Sequence, residues 1–147
     1  MTIVGFNFSG MNVDKREMVN EKINISNNVA ITGVEKTDLA LGTSKQNAIK
    51  FLFKFDTIYN PNVGSIKLTG DVIYFAEDKK VKEIIDQWKK TKKIDQTITE
   101  SILNAILSKC NIQALLLSRE VNLPPPLPMP KVQNKGGVKA GKGEYIG

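Results

Sequence analysis

The stretch from Thr97 to Pro130 constrains the fold most strongly, because a long apolar helix pattern ends there in a run of prolines. Apolar side chains recur at helical spacing beyond Glu100, and Thr97 with Glu100 predicts a capping box at the start of the helix. Five of the seven residues 124–130 are proline, which lacks the backbone N–H that a helix needs. The sequence therefore predicts a long helix that stops before residue 124, followed by an extended arm.

A shorter helix is predicted directly before the long one. Val81, Ile84, Ile85 and Trp88 lie three or four residues apart, which places them on one stripe of a helix over residues 78–92. Asp78 is the expected N-cap of this helix.

The first half of the chain is typical of an antiparallel sheet. Apolar residues alternate with polar ones at 2–9, 23–31, 49–55 and 66–74, and a turn at residues 60–62 joins the last two strands into a hairpin. Asn27 and Asn28 are expected to interrupt the alternation, which gives either one bulged strand or a pair of short ones, and residues 36–47 are expected to form a loop. Gly70 marks a bulge or a close backbone approach.

These elements predict an α+β fold, with an antiparallel four-stranded sheet followed by two helices. The expected division is one domain over 1–123, and a Pro-rich arm with a basic Lys/Gly-rich tail over 124–147.

The net charge of +6 is concentrated in two segments, residues 79–93 and 131–147. Clustered lysines attract an anionic partner. The first interpretation is RNA or the ribosome. A membrane surface is the second interpretation, and we do not expect it as a partner. Solvation, and the dipole at the end of the shorter helix, explain its lysines equally well. The candidate RNA-binding residues are Lys89, Lys90, Lys92, Lys93, Lys131, Lys135, Lys139, Lys142 and Tyr145.

Catalytic chemistry is not expected. The chain has no histidine, which removes the commonest general base and metal ligand, and no cofactor-binding motif is present. Cys110 is the single cysteine and lies in an apolar helical stripe, so we expect it to pack in the core. Residues 1–13 do not resemble a signal peptide, and the apolar run 112–117 is too short to span a bilayer. These features indicate a cytoplasmic, non-enzymatic binding protein.

The end of the long helix resembles the SecB family of export chaperones. The matching features are a cysteine in Ser108-Lys109-Cys110, the pair Ser118-Arg119, and Asn122-Leu123-Pro124 before the arm. The resemblance implies a non-enzymatic holdase that binds unfolded polypeptides in apolar grooves between sheet and helix and assembles as a homo-oligomer, commonly a tetramer. The export chaperones are acidic, whereas this chain is basic, which favours a different partner.

Under this resemblance the groove would be lined by aromatic residues, with Leu115–Leu117 beside them, although an ordinary core is the favoured interpretation of each of these residues. The main hypothesis is a non-enzymatic protein that is RNA- or ribosome-associated through its basic C-terminal tail, and a SecB-like holdase is the alternative. A weaker interpretation treats the proline arm as a ligand for an aromatic-lined groove on another protein subunit. The implied aromatic groove residues are Phe51, Phe53, Phe55, Tyr74 and Trp88.

Overall fold

The computed structural model describes residues 2–17 and 22–128. It confirms the predicted α+β class, because four antiparallel strands precede two helices. The elements are β1 (Thr2–Lys15), β2 (Asn24–Leu41), β3 (Ser44–Asn60), β4 (Gly64–Phe75), α1 (Asp78–Thr91) and α2 (Gln96–Glu120).

The sheet has the order β1-β4-β3-β2, so β3 and β4 lie at its centre and β1 and β2 form its edges. Both helices cover the same face of the sheet. On that face, alternate residues of β3 and β4 are buried together with side chains of both helices, which forms one core. On the opposite face, β3 and β4 carry half-buried and exposed residues such as Lys54, Asp56 and Lys67.

The strands are longer than the sequence pattern predicts. β1 continues to Lys15 through a register shift between Phe8 and Gly10, instead of ending near residue 9. The predicted loop over 36–47 is wrong, because β2 and β3 pair along this stretch and reverse at Gly42, whose φ is +65°. Cross-strand hydrogen bonds extend the ladder through polar sequence, where hydrophobic alternation gives no signal.

The contacts of Asn27 and Gly70 explain how these two residues fit within the sheet. Asn27 does not interrupt β2, because its side chain accepts a hydrogen bond from Thr57 Oγ1 at 2.6 Å and donates one to Pro126 O at 3.0 Å. Gly70 permits the predicted close approach, since a Cβ there would lie 2.0 Å from Asn7 O. Any larger residue at position 70 would force β1 and β4 apart.

Both predicted helix caps are wrong. At the start of α2, the side chain of Asp95 accepts a hydrogen bond from Ile98 N at 3.4 Å, so the helix begins before Thr97. Glu100 instead accepts a hydrogen bond from Gln96 Nε2. At the start of α1, Glu77 occupies the N-cap position without a side-chain hydrogen bond, and Asp78 lies in the first turn. Asp and Thr are both good N-cap residues, so the sequence around the start of α2 allows either Asp95 or Thr97. The position at which the helix begins makes Asp95 the cap.

The first residues after α2 pack against the sheet. Leu123 is 6% exposed, and the Tyr59 hydroxyl donates a hydrogen bond to Pro124 O at 2.6 Å. The backbone oxygen of Pro126 accepts the bond from Asn27 described above. Residues 129–147 lie outside the described residues, and the division at residue 123 stays a prediction.

Candidate functional site

Two surface cavities, which share no lining residue, follow helix α1 and the edge strand β2 and together make up the candidate groove. Its first part, about 690 Å³ in volume, lies between residues 78–89 of α1 and residues 34–36 of β2. Its second part, about 500 Å³, lies between the end of α1, the start of α2 and residues 29–31 of β2. The helix therefore runs antiparallel to the strand along both parts. We call this cleft the α1–β2 groove, and its two parts the Lys82 end and the Lys92 end.

The α1–β2 groove combines an apolar floor with a charged rim. Along β2 it spans residues 29–36, which corresponds to about 25 Å of extended strand. Each cavity covers three residues of β2, at 34–36 and at 29–31. The apolar lining residues are Val29, Ala30, Ile31, Val34, Val81, Ile85, Trp88, Ile94 and Leu103, and the charged ones are Glu35, Lys36, Asp78, Lys82, Asp86, Lys89, Lys92, Lys93 and Glu100.

The strand that forms one wall of the groove has a free edge. Within residues 2–17 and 22–128, β2 pairs with β3 alone, so the backbone groups on its outer side have no strand partner. A register shift between Ile31 and Gly33 lies between the two ends of the groove. Edge strands can accept an added strand through backbone hydrogen bonds. The groove thus offers both apolar contacts and backbone hydrogen-bonding groups.

The end of α1 holds a lysine above the single tryptophan. Lys92 adopts a φ of +58° as the C-cap of α1, and its backbone N–H donates to Trp88 O at 2.9 Å. Its ammonium lies 5.5 Å from the centroid of the Trp88 ring, which is a cation–π distance. The backbone N–H of Lys93 donates to Thr91 Oγ1 at 3.2 Å. Both lysines at the Lys92 end are therefore anchored through their backbones.

The predicted aromatic groove residues lie in three different places. Phe51, Phe53 and Phe55 are 0%, 2% and 0% exposed and pack in the core beneath the helices, so they do not line the α1–β2 groove. Tyr74 is 6% exposed and borders a separate cavity of about 470 Å³ beside β1 and the start of α2. Trp88 alone among the five lines the α1–β2 groove.

The predicted leucines of α2 also lie away from this groove. Leu115 and Leu117 are half-buried and Leu116 is 47% exposed. Leu115 borders a different cavity, which is formed with the start of the proline arm. The exposed Leu116 and Ile112 leave an apolar strip on α2, and the predicted homo-oligomer stays a prediction.

The candidate RNA-binding lysines of the described part of the chain are exposed. Lys89, Lys90, Lys92 and Lys93 lie in the last turn of α1 and just beyond it. The remaining candidates lie outside the described residues; they are Lys131, Lys135, Lys139, Lys142 and Tyr145. Lys92 and Lys93 line the Lys92 end of the α1–β2 groove and Lys89 lines the Lys82 end, whereas Lys90 lines neither.

Burial controls the titration of three groups outside the groove. Burial raises the pKa of the Cys110 thiol to about 12, which keeps it protonated and fits the predicted packing role. Burial also raises the pKa of Tyr59 to about 12. The pKa of Tyr74 is raised by burial and then by the nearby Asp95 carboxylate. Within the described residues, no group of three or more His, Cys, Asp or Glu side chains could hold a metal ion.

Helix α2 is long and apolar enough to cross a membrane, judged by length and composition alone. The run 112–117 considered by itself therefore underestimates the apolar length of this helix. In this fold, α2 buries every fourth residue from Ile98 to Ser118 against the sheet, and core helices pass the same test.

Sequence reasoning missed the β2 side of the groove. Val29, Ile31 and Val34 read as ordinary strand residues, because only the strand order shows that β2 is an edge beside α1. A signal was present in α1, whose apolar stripe ends in Ile85 and Trp88. Both are half-buried, whereas Val81 and Ile84 are 2% exposed.

No protein-family model and no curated protein matches this sequence. Among solved structures, the chain is similar to the Mycobacterium tuberculosis Rv1957 SecB-like chaperone, which was solved in complex with a ChAD peptide from the Rv1956 HigA1 antitoxin. The sequence identity is 12% and the TM-score is 0.52, over 90% of this chain and 91% of that chain. The shared sheet and helix pair, over nearly the whole of both chains, shows that this protein has a SecB-like fold.

Proposed function

We propose that this protein is a non-enzymatic holdase that binds extended polypeptide segments in the α1–β2 groove. The observation that carries the proposal is the groove itself, two successive cavities with apolar lining residues beside a free strand edge. Apolar side chains of a bound segment would be removed from water in the cleft, and its backbone would bond to β2.

The structural similarity supports a protein ligand in preference to RNA. The similar mycobacterial chaperone was solved with a bound peptide, which favours a polypeptide as the ligand of this fold. The RNA hypothesis lacks comparable support. Exposed lysines at the end of α1 are explained by solvation and by the helix dipole.

Trp88 provides a direct test, because it is the single tryptophan of the chain and lies in the groove. We expect a tryptophan-free apolar peptide to shift the Trp88 emission on titration, and the full chain to suppress aggregation of an unfolded client in light scattering. Substituting Ile85→Gln places an amide in the groove wall and should weaken peptide binding about tenfold.

The matched control is Ile112→Gln, the same substitution at a 61% exposed position on α2 outside the groove. This variant should bind the peptide and suppress aggregation as the parent chain does. Equal binding by the parent chain and Ile85→Gln, or no suppression of aggregation at equimolar protein, would overturn the proposal.

A further inference from the structure

The two ends of the α1–β2 groove differ in charge. At the Lys82 end, the basic groups Lys36, Lys82 and Lys89 are matched in number by Glu35, Asp78 and Asp86. At the Lys92 end, Lys92 and Lys93 face one carboxylate, Glu100. The groove is therefore close to neutral at one end and positive at the other.

The positive groups at the Lys92 end are not neutralised within the fold. Among the described residues, the ion pairs are Lys54–Asp56 and Lys80–Glu83, so neither lysine of this end is paired with a carboxylate. Glu100 accepts a hydrogen bond from Gln96 Nε2 at 3.2 Å, which directs it along its own helix. Both ammonium groups remain available to a ligand.

The apolar contacts lie directly beside these charges. Val29, Ile31 and Leu103 line the same cavity as Trp88, and the Lys92 ammonium lies over the Trp88 ring. A ligand that places an apolar side chain in this cavity brings its neighbouring residues next to Lys92 and Lys93. An aliphatic or aromatic residue beside acidic residues satisfies both features at once.

We propose that the Lys92 end selects acidic client segments, in which an apolar residue enters the cavity beside Trp88 while neighbouring Asp or Glu carboxylates meet Lys92 and Lys93. This inference rests on the proposed function and adds a charge preference to it. A nucleic acid would supply phosphates for the same lysines but no aliphatic side chain for the cavity. The combination of apolar cavity and ammonium groups therefore favours an acidic peptide.

The test compares three tryptophan-free fluorescent peptides with one apolar core, flanked by Ser, Asp or Lys residues, in anisotropy titrations of the full chain. At low salt, the Asp-flanked peptide should bind about tenfold more tightly than the Lys-flanked one, since exposed ion pairs contribute modestly each. High salt should shrink this ratio, because screening weakens exposed pairs. The Ser-flanked peptide should fall between the two.

Variants that reverse or remove the charge of Lys92 and Lys93 test the inference from the side of the protein. K92E/K93E should invert the preference, and K92Q/K93Q should abolish it without inversion, which covers the case in which the reversed variant fails to fold. The matched control is K79E/K109E, which changes the net charge equally at exposed positions that do not line the groove. This control should keep the parent preference.

The outcomes separate the two proposals. If the Ser-flanked peptide does not bind, the holdase function fails and the charge preference fails with it. If that peptide binds but the Asp- and Lys-flanked peptides bind equally, or K92Q/K93Q keeps the preference, only the charge inference is overturned. Equal displacement of the Asp-flanked peptide by a single-stranded RNA of the same charge would assign the lysines to nucleic acid and also overturn it.

Discussion

The two helices cover the same face of the sheet but differ in what they leave exposed. Helix α2 has 25 residues and buries six positions, each four residues after the last, in the centre of the core. Helix α1 has 14 residues and buries Val81 and Ile84, while Ile85 and Trp88 remain half-buried beside the edge strand. Helix α2 crosses all four strands and buries one continuous stripe, whereas α1 packs on β2 and β3 and leaves a groove along the edge strand β2.

This contrast assigns different tasks to the two helices. Substitutions in the buried stripe of α2 should change the free energy of unfolding and leave peptide affinity per folded molecule unchanged. Substitutions on the groove side of α1 should do the reverse. Of the three stability variants that follow, Ile106→Ala tests this division directly. All three are compared at one protein concentration, because any self-association would shift the apparent stability.

Ile106→Ala should have the largest effect. Ile106 is fully buried in the core, so its truncation should lower the free energy of unfolding by about 2–5 kcal/mol in urea denaturation. The control Ile112→Ala truncates the same side chain on the same helix at a 61% exposed position, and should change stability by about 0.5 kcal/mol or less. Equal losses from the two variants would show that the exposed strip of α2 is also covered, and would break the contrast.

Tyr59→Phe should have the next largest effect, because it removes the hydroxyl that donates to Pro124 O. The loss of this bond, with a part-buried acceptor left unpaired, should cost about 1–2 kcal/mol. Limited proteolysis after residue 123 should also become faster. An unchanged cleavage rate would mean that this bond does not fasten the arm to the sheet.

The same variant has a pH signature. Burial raises the pKa of Tyr59 from 10.0 to about 12, so between these values the unfolded chain releases the proton more readily than the folded one. Stability from this group is present below pH 10 and is lost as the pH rises towards 12. Tyr59→Phe should therefore lose less stability than the parent chain across this window. Parallel pH profiles for the two chains would contradict the assignment.

Asp95→Ala should have the smallest effect of the three. It removes the side-chain acceptor for Ile98 N at the junction between the two helices, which should cost about 0.5–1 kcal/mol in thermal or urea unfolding. Thr97→Ala, at the position that the sequence pattern predicts as the cap, should cost less than Asp95→Ala. The opposite ranking would restore the capping box and move the start of α2.

Much of the fold could be predicted from local pattern. The stripe that includes Ile84 and Trp88 identified α1, the prolines after Leu123 identified the end of α2, and the alternation around Phe53 identified a central strand. These signals are local in sequence, since a helix or a half-buried strand repeats its own period. The polar stretch 36–47 carries no such period, and only its pairing in the β2–β3 hairpin made it strand.

The candidate site was harder to predict from the sequence than the fold. Aromatic residues such as Phe51 and Phe55 attract attention in a sequence, yet the helices cover them completely. Ile31 and Val34, which line the groove, look unremarkable. Whether an apolar side chain is core or groove depends on what lies opposite it.

The amino-acid order alone therefore determined the types of element, their sequence along the chain, the excess of positive charge and the lack of any histidine. Tertiary structure alone decided that β2 is an edge, that α1 lies beside it, and that Lys92 and Lys93 end up next to an apolar cavity. The reason is that periodicity acts between residues a few positions apart. Exposure, in contrast, is set by contacts between segments that are distant along the chain.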